Sequence, residues 1–380
     1  AVEAVDDYTV IIKLETPFDM WWRWRAYYAI PRKYFDEVGR EGFMKYPIGV
    51  GPFKWVEGDI ADYIVLERYE KYYGGPVLPG EVDQIPAVDR VIFRFISEST
   101  TRVAALLAGD VDIIQNIPPD SVKMLVENSG INVISVGGTR IATLFFNSNK
   151  PPFNNKRVRQ AVAYAIDLDL IIEHQLLGFA EALKGRPFLI PFPGTPESGY
   201  YEHIQSPYDY NPERAKALLE ETGVTGSSII LDAVPELSEV AQSISQMLND
   251  IGFNTSVRVW ERGVIREEFI KGQRDILIEN WGRASRDPDW IKVIASTGDR
   301  GNLGNYSNPA FDDLILTAMH MDPNDPKRYD MYIEAYELAM EELPVFSLFT
   351  ADEIEACQSY VKNYYPDTTG RVILHRVDIE

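Results

Sequence analysis

The chain has 380 residues, 45% apolar and 25% charged, enough for two domains with cores of their own and incompatible with wholesale disorder. Fifty-eight acidic against 37 basic side chains leave a net charge of −21, a field that repels nucleic-acid phosphates and anionic lipid. No apolar run reaches the ~18 residues a membrane helix needs, and the single cysteine, Cys357, excludes an intrachain disulfide and a thiolate zinc cage.

In chain order, the first residues already carry a strand pattern. Val10, Ile12 and Leu14 fall on one side of a period-two alternation beginning at Val5. No initiator Met, basic n-region or apolar h-region precedes it, so processing or trimming is the expected reason for so abrupt a start. Val91–Ile96 reads as a strand, Thr100–Ala108 as a helix closed by Gly109, and Asp112–Ile114 and Asn132–Val136 as further strands. Val158, Ala161, Val162, Ala165 and Ile166 share one helix face. Asn211-Pro212-Glu213 supplies an N-cap, a proline at the first helical position and an acid in the first turn, and Gly223 supplies the stop.

Ile229–Leu231, Thr255–Trp260 and Asp275–Ile278 are β-rich runs separated by helical stretches. The first of those helices is built on Val240, Ile244, Met247, Leu248 and Ile251. This alternation predicts an α/β unit with parallel strands. Asn308-Pro309 opens another helix, Val372–Val377 is again strand-like, and Pro187–Gly199 reads as a long surface loop. Two α/β centres are therefore expected, one before about residue 140 and one after it.

Catalytic signatures are missing. His174, His203, His320 and His375 are scattered singly, without HExxH spacing, and neither a GxSxG elbow nor a GxxxxGK[ST] loop occurs. Gly49-Val50-Gly51-Pro52 lacks the third glycine of a dinucleotide fingerprint, and its proline removes a backbone donor, so a tight turn is expected. The adjacent pairs Glu220/Glu221 and Glu341/Glu342 should diverge on their helices. Neither enzyme chemistry nor a metal or cofactor is expected.

What the chain does carry is aromatic and cationic. Trp21, Trp22, Trp24, Tyr27 and Tyr28 lie among Arg23 and Arg25, flat faces for stacking beside guanidinium groups that clamp carboxylates. The second cluster is Trp281-Gly282-Arg283-Ala284-Ser285-Arg286-Asp287-Pro288-Asp289-Trp290, which follows a strand, where open α/β sheets bind ligands. Asp287-Pro288 and Asp289 equally suit the opening of the next helix.

These segments, in this order, resemble the extracellular solute-binding proteins of family 5, the peptide- and nickel-type receptors of ABC importers. The likeness runs through Gly49-Val50-Gly51-Pro52-Phe53-Lys54-Trp55, Ser99 to Ile113, Pro152 to Ala161 with Ala165-Ile166-Asp167, and Tyr210 to Lys216. Trp281 with Asp287-Pro288-Asp289, and Asn305 to Pro309, complete it.

The resemblance implies a type II periplasmic-binding-protein-like α/β fold: two lobes of mixed sheets and flanking helices that close on a solute. Lobe I would comprise residues 1–140 and 346–380 and lobe II residues 141–345, with a hinge near Gly137-Gly138-Thr139-Arg140 and a return near Leu343-Pro344-Val345. It also implies that members carry a sizeable upstream segment, with part of the first lobe and an export signal, so that lobe I is incomplete here. The expected ligand contacts are Trp21, Trp22, Trp24, Arg140, Phe145, Asn147, Trp281, Gly282, Arg283, Ala284, Arg286 and Asp287. The expected partners are a peptide and the transmembrane subunits of an ABC permease, met by a monomer in the periplasm or otherwise outside the cytoplasm, with a lipid anchor as one mode of attachment.

One departure bears on the ligand. Many peptide receptors of this family place an aspartate three residues after the tryptophan, where it anchors the ligand's amino terminus; here that position is Ala284. The rival cargo is an oligosaccharide or other polyhydroxylated solute stacked on the tryptophans. Arg283 and Arg286 would suit an anionic group, and haem or chelated nickel has no histidine cluster behind it. A signalling or chaperone module is the remaining non-enzymatic alternative.

Overall fold

The computed structural model describes residues 1–14, 30–59, 61–74, 85–186, 204–281, 290–322, 325–368 and 370–380. The chain forms two compact units, Ala1–Asp19 with Thr139–Ala351 and Met20–Gly138 with Asp352–Glu380. The first crossing thus falls at Gly138–Thr139. The second comes after the expected return at Leu343–Val345, and the amino-terminal residues group with the 139–351 unit.

Residues 1–14 form a small antiparallel hairpin of β1 (Val2–Ala4) and β2 (Val10–Ile12), exposed along its length. The alternation from Val5 therefore yields only its second half as strand. In the smaller unit, α1 (Arg32–Lys45) precedes the antiparallel meander β3 (Phe53–Asp59), β4 (Tyr63–Arg68) and β5 (Arg90–Arg94). Helix α2 (Ser99–Ala108) ends on Gly109 at φ 78°, a left-handed stop that favours glycine. Strand β6 (Ile113–Ile114), helix α3 (Pro119–Val126) and strand β7 (Ile131–Val136) follow.

The larger unit begins with β8 (Ile141–Phe146), buried at every position. Helices α4 (Lys156–Ala165) and α5 (Leu168–His174), strand β9 (Ala180–Ala182) and helix α6 (Pro212–Thr222) come next. Then strands and helices alternate as expected: β10 (Ser228–Ala233), α7 (Ser238–Asp250), β11 (Asn254–Val259), α8 (Arg262–Ile270) and β12 (Ile276–Trp281). Helices α9 (Trp290–Ala295), α10 (Pro309–Met319) and α11 (Pro326–Glu342) lead to β13 (Val345–Ala351). The six strands order as β11-β10-β12-β8-β13-β9. Strand β10 runs parallel to β11 and β12, while β8 pairs antiparallel with both β12 and β13. Because β13 holds its ladder on β8 to Thr350, the crossing waits until Ala351–Asp352.

Local chemistry explains the helix boundaries. Asn211 accepts from Arg214 N at 3.0 Å, and Asn308 accepts from Ala310 N at 3.0 Å, each with proline next in the chain. Asn155 caps α4 in the same manner, accepting from Arg157 N.

The start of α4 grips the end of α11. Arg159, only 3% exposed, donates through Nε to the carbonyls of Glu342 and Leu343 at 2.9 Å and through Nη1 to that of Phe153 at 2.7 Å. Lys156 reaches Glu341 at 2.6 Å and Glu342 at 3.0 Å, which pushes its pKa up through those hydrogen bonds. The adjacent glutamates therefore converge on one lysine instead of diverging, because a four-carbon stem reaches both from outside the helix. Cations at this terminus also meet the negative end of the α11 dipole.

In the smaller unit, β14 (Glu353–Gln358) lies between β6 and β7, antiparallel to both. Its Cys357 joins Val361, Tyr364 and Val377 in a small core with Val372 and Leu374 against it. Val372–Val377 is packed but not a strand; pairing occurs instead between β15 (Val361–Lys362) and β16 (Asp378–Ile379). Apolar alternation there reports burial against β14 without a neighbouring ladder.

Replacing Arg159 with Met should destabilise the protein by about 3 kcal/mol, since it strands buried carbonyls that now have a charged donor. Urea denaturation measures this, and a loss below about 1 kcal/mol would show that other donors replace the fork.

Candidate functional site

The carboxyl ends of the parallel strands in the larger unit carry two tryptophans. Trp260 immediately follows β11, and Trp281 is the last residue of β12. Cross-strand partners share a sheet face. The register Asp232–Leu277 and Thr143–Glu279 therefore sets Asp232, Glu279 and Trp281 on one face of β10 and β12.

On that face each tryptophan is held by an arginine and a carboxylate. Arg266 of α8 lies over the Trp281 ring, its guanidinium carbon 4.5 Å from the ring centroid. Its Nε donates to Glu279 Oε1 at 3.1 Å and Oε2 at 2.8 Å, and Nη2 adds a further bond to Oε1. Glu279 has no exposed surface. Arg274 similarly lies 4.8 Å from the Trp260 ring and 3.9 Å from Asp232, while Trp260 Nε1 donates to Asp232 at 2.7 Å. Such cation–π contacts contribute about 0.5–2 kcal/mol each.

Trp281 is wedged further. The Phe145 ring meets it edge-on at 5.9 Å, and a Cβ at Gly301 would come within 2.8 Å of Trp281 Cζ2 and 2.5 Å of the Val293 carbonyl. Only glycine fits there. The indole Nε1, unlike that of Trp260, is buried without a hydrogen-bond partner. Trp281 keeps part of its surface exposed, so one ring position is fixed while some of the side chain faces outward.

Of the residues singled out in the sequence, Trp281 and Phe145 are brought together here. Phe145 and Asn147 have no exposed surface. Phe145 is core, and Asn147 spends its amide on the carbonyls of Gly272 and Arg274, at 2.8 and 2.7 Å, fixing the entry to β12. Both therefore act as supports: a ligand contact requires exposed atoms. Arg140 is exposed just after the chain crossing. Trp21, Trp22, Trp24, Gly282, Arg283, Ala284, Arg286 and Asp287 lie outside the described residues. Arg266, Glu279, Asp232 and Trp260 were missed by sequence reasoning. The signal was present in Ile276-Leu277-Ile278-Glu279, where a charge inside an apolar strand demands a buried partner.

A cavity of about 500 Å³ lies wholly in the smaller unit, lined by Val91, Phe93, Ile113 and Leu374 among others. Arg102 on its wall is committed to the carbonyls of Ile96, Ser97, Gln115 and Asn116, so it is spent as a ligand anchor. Among the described residues no group of His, Cys, Asp and Glu could hold a metal.

Burial raises the pKa of Asp232, against the Trp260 hydrogen bond and Arg274. A carboxyl raised in the folded state contributes stability below its ordinary value of about 3.9 and loses it as pH rises through the folded value. Asp232→Asn should therefore gain melting temperature relative to the parent as pH rises above about 4. A difference that is constant or falls with pH would contradict this.

Comparison with known proteins shows the family of the chain. Residues 1–301 match the model of the bacterial extracellular solute-binding proteins, family 5. The chain is 26% identical to the dipeptide-binding protein of Escherichia coli K12, over 100% of this chain and 71% of that protein. It is 26% identical to the glutathione-binding protein GsiB of the same strain, over 96% of this chain and 72% of the relative. Among solved structures, DppA of Helicobacter pylori in complex with the peptide STSA superimposes with a TM-score of 0.83 at 26% identity, covering 100% of this chain and 74% of the other. The mixed-sheet α/β architecture is thus that of the periplasmic binding proteins, and the chain belongs to the bacterial extracellular solute-binding proteins of family 5.

Proposed function

We propose that the protein captures a short peptide, or a peptide derivative of the glutathione kind, outside the cytoplasmic membrane and delivers it to the permease of an ABC importer. The observation that carries this reading is the match along the entire chain to a dipeptide-binding relative and to a peptide-bound fold.

The chemistry required is binding without turnover. Trp281 offers a rigid aromatic surface at the carboxyl edge of the parallel strands, and Arg283 and Arg286 follow it in sequence as partners for a peptide carboxylate. Closure would follow from differential contacts: driving a 1:99 population to 99:1 takes about 5.5 kcal/mol, within reach of a few stacked rings and charged hydrogen bonds. The two crossings, at Gly138–Thr139 and Ala351–Asp352, are the hinge in this reading. Ala284 supplies no carboxylate for a ligand ammonium, so blocking a peptide's amino terminus should cost little affinity.

Dipeptides to tetrapeptides, glutathione, N-acetylated peptides and oligosaccharides should be compared by calorimetry and thermal shift. At least one peptide should bind and raise the melting temperature, with no product formed. Trp281→Ala should then weaken that peptide by more than about 1 kcal/mol, roughly fivefold. Stabilisation by oligosaccharides and by no peptide would overturn the reading, as would turnover.

A further inference from the structure

We infer that Arg266, locked by Glu279, is a positioning residue for ligand binding that acts through Trp281, an inference resting on the binding role proposed for the carboxyl edge of β12. Three observations lead there. The guanidinium sits on the indole at 4.5 Å, so one face of Trp281 is covered and a ligand is offered the remaining surface. The same guanidinium forks onto both oxygens of Glu279, two residues before Trp281 on the same strand face. Glu279 is fully buried and Arg266 about one-third exposed, so the fork joins the sheet interior to the surface of α8.

The geometry leaves little freedom. Past Ile278 the ladder of β12 on β10 has ended, and only β8 still pairs with Asn280 and Trp281. A strand end held on one side is free to twist and fray. Arg266 supplies the missing restraint from above the sheet, and Gly301 and Phe145 confine the indole edge. A bidentate arginine on a carboxylate has fixed geometry, which a lysine cannot reproduce. The parallel arrangement at Trp260 differs in the respect that matters. There the indole N–H is itself bonded to Asp232, whereas Trp281 has no hydrogen bond holding its ring and depends on the stacked arginine.

The test combines a spectroscopic and a binding readout on the intact protein. The chain has 7 tryptophans, so protein labelled with 5-fluorotryptophan is observed by fluorine NMR, with the Trp281 signal assigned by its loss in Trp281→Phe. Arg266→Met should shift and broaden that signal and leave the remaining tryptophans largely in place. It should weaken the tetrapeptide Ser-Thr-Ser-Ala about tenfold, yet cost less than about twofold in the Trp281→Phe background. Arg266→Lys should fall between parent and Met variant, and Glu279→Gln, which keeps the charge over the ring but breaks the fork, should broaden the same signal. If Arg266→Met does not fold, the Lys and Gln variants carry the test alone. An unmoved Trp281 signal, or an equal affinity loss with and without Trp281, overturns the inference. Failure of the parent to bind any peptide overturns the functional reading instead, and the NMR arm still reports whether Arg266 holds the ring.

Discussion

The structure of the larger unit depends on β12 being shared between two kinds of ladder. It runs parallel to β10 as far as Ile278 and antiparallel to β8 as far as Trp281. The parallel side exists because α7 and α8 return the chain to the same end of the sheet, and on the other side β8, buried at every position, runs antiparallel. The mismatch in length leaves Asn280 and Trp281 paired on one side only. A large aromatic placed there is both anchored and partly outward, which suits a binding edge.

Polar groups then complete what the ladder leaves open. Two buried carboxylates, Asp232 and Glu279, would be costly on an apolar sheet face without partners. Each is matched to an arginine, and each arginine covers a tryptophan. At Glu279 burial thus becomes rigidity, because the arginine cannot move without uncovering a charge, whereas Asp232 keeps a burial cost with one oxygen unpartnered. The grip of Arg159 and Lys156 on the end of α11 applies the same principle to a helix terminus and fixes where β13 begins.

Much of this was legible in the sequence. The caps at Asn211 and Asn308, the stops at Gly109 and Gly223 and the β–α alternation from Ile229 to Ile278 follow from short-range chemistry, and the structure forms each of them. What was not legible depends on contacts distant in sequence. Val372–Val377 alternates like a strand but packs against β14 without pairing, since alternation records burial and not hydrogen bonds. Glu341 and Glu342 converge on Lys156, a residue 185 positions before the first of them. Trp281 was singled out because it follows a strand expected to end near Ile278; Arg266 was not, because an arginine on a helix reads as a solvated charge until the strand beside it is known to bury a glutamate.

The central claim is that a solute is engaged at the carboxyl end of β12. Hydrogen–deuterium exchange with and without saturating peptide tests it most directly. Ligand should slow exchange in residues 279–290 and in the facing start of β8, while β3, β4 and β5 keep their rates. Protection confined to other parts of the chain, with residues 279–290 unchanged under saturation, would contradict the account.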